Sequence, residues 1–378
     1  MKIGIDARYL ENEMTGVGRY SHNLLRAILH IDSKNLYHVF LRSGYHGALP
    51  QSSNARYHYV PYLPISVGTI LPLGIHTMIQ NLDLFHSHFP VAPLVQAAQS
   101  VVTVHDLQPL RVPRLAAQRP LPLRIGYRIY YPLLYRTTLF RAKAIIAVSN
   151  ATRCDLEDLF NIPRERIHVI HEAIDERFTA PCTCEAQETI RSRYNLPEMF
   201  LLYVGATLPH KNLPTILKGY ARAVATGSCV GLSLVLAGRR SRFDPELEQL
   251  AQQLGIETRI QRLGYVPEED LPALYTIATA LLYVTRYEGF GFPPLEAMYH
   301  GLPVIASYHA ALPEVIGACG VFVDPDDIEG IAEAILTLVH SDALRNRLAT
   351  LGRSHLSRFS WHKAAMDTIR IYEEVYTQ

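Results

Sequence analysis

A chain of 378 residues is longer than one ordinary hydrophobic core supports and predicts two domains. Its composition, 48% hydrophobic and 19% charged, is that of a soluble globular protein, and a formal net charge of +1 gives no argument for nucleic acid, so none is expected as a partner. The opening Met1-Lys-Ile-Gly-Ile-Asp6 breaks its apolar run too early for a signal peptide, and no stretch approaches the ~18–20 apolar residues of a bilayer span. Five cysteines, an odd count without a secretion signal, predict free thiols in a reducing compartment.

In chain order, short β-branched runs predict strands at Lys2–Asp6, Tyr37–Leu41, Val101–Val104, Ala144–Val148 and Arg166–Ile170. A second series follows at Phe200–Val204, Ser233–Ala237, Ala280–Val284, Pro303–Ala306 and Gly320–Val323. Segments of helical spacing lie between many of them, among them Gly18–His30, Asn212–Ala225, Asp244–Leu254 and Ile328–His340. Such alternation predicts an α/β fold of parallel sheets covered by helices on both faces. Ten strands exceed one typical sheet, which again gives two domains. The joint is expected between His171 and Met199, where Arg177–Gln187 is the least periodic piece of the chain. Trp361–Tyr376 carries a helical apolar stripe that suits either half.

Several features along this path bear chemistry. Gly16-Val-Gly-Arg-Tyr20, after the first strand, approaches a dinucleotide fingerprint but fails it, because Ser21 stands at the third glycine position. It reads as a mobile loop facing the interdomain cleft, with Gly16, Gly18 and Arg19 available to a phosphate or an acceptor. His86-Ser-His88 and Cys182-Thr-Cys184 lack the further ligands that zinc needs, so no metal is expected. His105, at the end of Val101–Val104, is placed to hydrogen-bond a sugar or take a proton, or is a satisfied core histidine. Between Asp106 and Asp155 there is no acidic residue, while Arg111, Arg114, Arg119, Arg124, Arg128, Arg136, Arg141 and Lys143 interleave with tyrosines and leucines. Residues 111–143 therefore read either as a solvated helical face or as a surface for an anionic membrane.

Lys211 follows the strand Phe200–Val204 and precedes a helix expected to be capped by Asn212. A lysine at a helix amino end opposes the macrodipole unless a phosphate lies between the two positives. The densest signal is Glu288-Gly-Phe-Gly-Phe-Pro-Pro-Leu-Glu296, leaving a strand at its carboxyl end, where ligands bind in open α/β sheets. Gly289 and Gly291 allow close backbone approach, and Pro293-Pro294 opens a helix over Leu295–His300 whose amino end suits a diphosphate. Glu296 in its first turn suits the vicinal hydroxyls of a ribose, and Glu288 those of a sugar. Either glutamate alone reads as a dipole complement or a surface residue; the glycines and the strand–loop–helix setting favour a ligand site.

These residues resemble glycosyltransferase family 4, retaining enzymes of GT-B fold, over nearly the whole chain. The Glu288–Glu296 segment carries the resemblance, with Leu302-Pro-Val-Ile-Ala306 and Leu312-Pro-Glu-Val-Ile-Gly317 behind it. Gly4-Ile-Asp-Ala-Arg8, Thr15-Gly-Val-Gly-Arg-Tyr20 and Val102-Thr-Val-His-Asp-Leu107 resemble its bacterial mannosyltransferase-like branch. The resemblance implies two Rossmann-like domains whose parallel sheets face a central cleft: 1–172 on the acceptor side, joined by the returning C-terminal helix 361–378, and 173–360 for the donor. By position, Glu296 would bind ribose, Lys211 the diphosphate, and Glu288 the transferred sugar with Phe290, Gly291 and Leu295 beside it. Val266 in Gly264–Pro267 would flank the nucleobase, and His105 would contact the sugar.

The family usually needs no metal or other cofactor, and its front-face reaction keeps anomeric configuration, the donor phosphate taking the acceptor proton. An arginine frequent in relatives is replaced by Ala206 or His210, so Arg239 or Arg286 becomes the candidate second cation. Where many relatives read Asn-Gly at the joint, His171-Glu-Ala173 stands here. The resemblance implies transfer of a hexose, mannose from GDP-mannose, to a lipid-linked or polysaccharide acceptor in cell-envelope glycan synthesis. It places the protein in the cytoplasm, peripheral on the membrane through 111–143. A GT-B sugar-nucleotide epimerase and a non-catalytic sugar-nucleotide-binding scaffold are the alternatives.

Overall fold

The computed structural model describes residues 1–10, 15–112, 121–179 and 182–377. The chain divides into two compact units, one of Met1–Ala173 with Phe359–Gln378, the other Ile174–Arg358.

The first unit is built on β1 (Lys2–Asp6), β2 (Leu36–Arg42), β3 (Ala55–Val60), β4 (Leu84–Ser87), β5 (Gln99–Val104), β6 (Ala144–Ala147) and β7 (Ile167–Val169). Their order is β3-β2-β1-β4-β5-β6-β7, with every pairing parallel. Successive strands grow outward in one direction from β1 and then in the other from β4, so the topological switch lies between those two. Central positions such as Ile5, Val102 and Ile146 are fully buried, as expected for strands covered on both faces. The C-terminal helix Trp361–Thr377 belongs to this unit. It packs on the helix Gly16–Ile31, Trp361 lying edge-on to Tyr20 and the Tyr372 hydroxyl 2.6 Å from His86 Nδ1.

The second unit repeats the plan with β8 (Met199–Val204), β9 (Leu232–Ala237), β10 (Ile260–Gly264), β11 (Ala280–Tyr283), β12 (Val304–Ser307) and β13 (Gly320–Val323). The order β10-β9-β8-β11-β12-β13 is again wholly parallel and puts the switch between β8 and β11. Its core joins Leu201, Leu234, Leu282 and Ile305 of the sheet to Ile216, Tyr220, Ile331 and Ile335 of covering helices.

Several expectations change. β3, β4 and β10 escape the apolar-run criterion, because Arg-Tyr-His-Tyr, Phe-His-Ser and Gln-Arg interrupt them; β3 and β10 are edge strands with one side toward water. Gly16–Tyr20 is not a loop but the first turns of the Gly16–Ile31 helix. The Thr15 hydroxyl accepts from Gly18 N–H and caps it, which anchors two glycines in a helical turn. Among the described residues of the aperiodic stretch Arg177–Gln187 there is regular structure: Glu176–Phe178 forms a 3-10 turn, and a helix spans Cys184–Arg193 with Thr183 accepting from Ala186 N–H. That helix buries only Ile190, so it shows no apolar period.

Candidate active site

In the second unit, the loops leaving β8 and β11 meet at the switch point. The Lys211 ammonium donates to both carboxylate oxygens of Glu288, at 2.8 and 3.1 Å, and to the Tyr283 hydroxyl at 2.9 Å. Burial raises the Tyr283 phenol well above its ordinary pKa, and the neighbouring Glu288 carboxylate raises it further. The phenol therefore stays protonated and accepts from lysine. Sequence reasoning missed Tyr283, whose place at the end of an apolar strand looks like ordinary core.

Glu288 is followed by Gly291, whose φ of 110° lies in the left-handed region and whose added Cβ would meet Leu312 Cδ2 at 3.0 Å. The helix after it spans Phe292–Tyr299, three residues earlier than the Pro-Pro signal suggests. Glu296 therefore sits in the second turn, 1% exposed, with the Tyr275 hydroxyl donating to Oε2 at 2.6 Å. Tyr275 in turn lies parallel to the His300 ring at a 6.0 Å centroid separation, a second contact the sequence did not signal. Pro293 and Pro294 carry no N–H, so the donors at this helix end are the Gly291 and Phe292 amides, fewer than a helix normally offers. Leu295 is fully buried, which leaves only its backbone for a ligand, and Phe290 is buried edge-on to Phe292.

Asn212 departs from its expected capping role. It adopts φ 60°, makes no side-chain cap, and its amide instead donates to the carbonyls of Val284 and Pro325, at 3.1 and 2.6 Å. The side chain ties the Lys211 loop to the strand end that carries Glu288. The loops after β8 and β9 are joined by Ser241, which donates to the Thr207 carbonyl at 2.8 Å, and Asp244 takes Arg262 of β10 at 2.9 Å. Gly238 lies so close to that junction that a Cβ there would stand 2.0 Å from the Gly205 carbonyl oxygen.

For the second cation, His210 is excluded: burial and the adjacent Lys211 push its imidazole down to about 3. Arg286 is ion-paired with Asp326, while the Arg239 guanidinium lies 5.2 Å over the Tyr265 ring, next to Val266. Val266 is buried, so its backbone is what a base would meet.

In the first unit, His105 follows β5 and is almost wholly engaged. Nδ1 lies 2.9 Å from Glu172 Oε1 and Nε2 3.0 Å from the His88 carbonyl oxygen. The Tyr20 ring meets it edge-on at 4.6 Å. Behind it a buried line runs from Tyr20 to Thr103 (2.9 Å), from Thr103 to His86 (2.8 Å) and on to Tyr372. His86 thus belongs to a buried polar line, while the His88 ring packs edge-on to Tyr20 and His86, and Gly16, Gly18 and Arg19 lie in the helix turns that include Tyr20. Glu172 lies in the His171-Glu-Ala173 segment that stands where many relatives read Asn-Gly, the only sign of it in the sequence.

The basic stretch is partly neutralised. Arg111 pairs with Asp155 and Asp158, at 2.6 and 3.1 Å, acids that lie beyond the acid-free interval. Arg114, Arg119 and the Arg124 side chain lie outside the described residues. On the helix Leu121–Arg141 the exposed positions include Arg128, Ile129, Leu133, Arg136 and Phe140, and Lys143 follows. Among the described residues no helix is long and apolar enough to cross a membrane.

Comparison with known proteins finds a family for each of two segments of the chain. Residues 14–178 match the family described as Glycosyltransferase Family 4, and residues 186–355 match Glycosyl transferases group 1. O-antigen chain mannosyltransferase B of Escherichia coli is 28% identical over 99% of this chain and 100% of its own length. O-antigen chain mannosyltransferase RfbU of Salmonella typhimurium is also 28% identical, over 70% of this chain and 67% of its own. Among solved structures, a sucrose-phosphate synthase from Thermosynechococcus elongatus superposes with a TM-score of 0.78 over 100% of this chain and 99% of that one, at 19% identity, which speaks to the fold. With both units matched and the Lys211–Glu288 contact at the switch of the second, the chain belongs to glycosyltransferase family 4 and is a glycosyltransferase of GT-B fold.

Proposed function

We propose that this enzyme transfers a hexose, mannose from GDP-mannose, to a lipid-linked or polysaccharide acceptor in cell-envelope glycan assembly. The observation that carries the reading is the full-length likeness to an O-antigen mannosyltransferase. In this reading the donor diphosphate lies between Lys211 and the amino end of Phe292–Tyr299, where the dipole and a charge-assisted bond oppose its developing charge. Glu296 takes ribose hydroxyls, Glu288 the transferred sugar, and the Gly264–Pro267 backbone the base, with Arg239 as second cation. His105 meets a substrate hydroxyl in the first unit, and Arg19 the acceptor. Because lysine and helix dipole supply the positive charge, no metal is required, and turnover is expected to persist in excess EDTA.

A panel of GDP- and UDP-sugars, assayed for hydrolysis and for transfer to a lipid-linked glycan, tests the donor. Turnover confined to UDP-sugars overturns the GDP-mannose assignment, and interconversion of a free sugar nucleotide without acceptor overturns transfer. The exposed Arg128, Arg136, Arg141 and Lys143 with Ile129, Leu133 and Phe140 support a peripheral position on the cytoplasmic face of the membrane. Each cation near an anionic surface is worth about 1 kcal/mol, so vesicle association should rise with anionic lipid and fall with salt. Binding indifferent to both would remove this part of the reading.

A further inference from the structure

The contact between His105 and Glu172 fixes where protons sit. The His88 carbonyl can only accept, so His105 Nε2, 3.0 Å away, carries a hydrogen. The 2.9 Å between Nδ1 and Glu172 Oε1 needs a second proton in the bridge, on nitrogen or on oxygen. Side-chain exposures of 11% and 3% keep water from supplying a substitute partner. If the bridge proton left, the single remaining imidazole proton would turn toward the carboxylate, and a bare Nε2 would face the His88 carbonyl.

From this we infer that Glu172 is the positioning residue of His105: it shares a proton with Nδ1 and so holds the imidazole as an Nε2–H donor for a substrate oxygen, not as a base. The substrate oxygen takes the proton now given to His88, or shares it. The inference rests on the reading that His105 meets substrate, and it assigns a role to Glu172 beyond that reading.

The groups around this bridge keep fixed protonation states. Burial holds His86 down at about 3 and His88 well below its ordinary value, so both are neutral. The Tyr20 phenol is driven upward by burial and stays protonated. Burial also raises Glu172, with His105 opposing and the neighbouring Asp106 adding to the rise, which favours retention of the bridge proton. Thr152, donating to the His105 carbonyl at 3.1 Å, carries no charge.

The test is made on the full chain with the nucleotide sugar that the donor panel identifies, between about pH 6 and about pH 9.5. In the wild type, kcat/KM should fall on the alkaline side as the bridge proton is lost. In Glu172→Gln the amide can donate to Nδ1, so the Nε2–H form needs no added proton. That variant should keep kcat/KM at neutral pH within about threefold of wild type and lose the alkaline limb. Glu172→Asp should keep the limb. A second measurement is independent of turnover: a downfield proton resonance of the bridge, present in wild type and absent from both Glu172→Gln and His105→Gln. A Glu172→Gln profile parallel to wild type, a wild-type rate that rises with pH, or a wild type without the resonance overturns the inference. Failure of every nucleotide sugar with the resonance intact would instead count against the proposed function and leave the Glu172–His105 pairing standing.

Discussion

The Lys211 ammonium ties Glu288 and Tyr283 together through hydrogen bonds of 2.8–3.1 Å. A diphosphate approaching the lysine must share it with a carboxylate of its own sign. Glu288→Gln removes that competitor and keeps the shape, so GDP should bind about tenfold tighter by calorimetry while transfer falls about 100-fold or more. Lys211→Ala should weaken GDP and lower kcat/KM by about 10²–10³. Unchanged GDP affinity in both variants would place the diphosphate elsewhere. At Glu296, the Tyr275 hydroxyl fixes one carboxylate oxygen in a 1%-exposed setting. Tyr275→Phe should therefore raise the donor KM several-fold and leave kcat nearly unchanged, the pattern of lost uniform binding.

At the scale of elements, the site depends on strand ends and the turns that leave them. Gly291, at φ 110°, aims the Phe292–Tyr299 helix, and any side chain there meets both a strained backbone and Leu312. Gly291→Val is expected to abolish transfer while lowering stability by about 1–3 kcal/mol, measured by denaturant unfolding. Sequence pattern found the Lys211 and Glu288 turns because glycines and prolines punctuate them and because a single apolar strand precedes each. It misjudged Gly16–Tyr20, since two glycines suggest a loop wherever the capping threonine before them goes unweighed. It also extended the reach of Asn212, whose type suits a cap but whose amide is taken by two carbonyls distant in sequence.

For the whole molecule, the first unit is closed by the last helix of the chain. Trp361, Ala365, Ile371 and Tyr372 are buried against it. Removing a buried aromatic costs about 3–5 kcal/mol, so a fragment of residues 1–173 should fail to unfold cooperatively by circular dichroism, while 174–358 should fold alone. Restoring 359–378 to the first fragment through a short linker should recover its transition; a stable 1–173 would show the helix to be dispensable.

The sequence by itself determined the two α/β units, the Glu288–Glu296 segment and Lys211, because strand–helix alternation, glycine turns and a charge at a helix start are local properties of the chain. Tertiary structure alone decided that Lys211 and Glu288 touch, that Tyr283 shares the lysine, and that His105 answers to Glu172. These are contacts between residues 67 or more positions apart or consequences of burial, and no local period encodes a partner brought near by a parallel sheet.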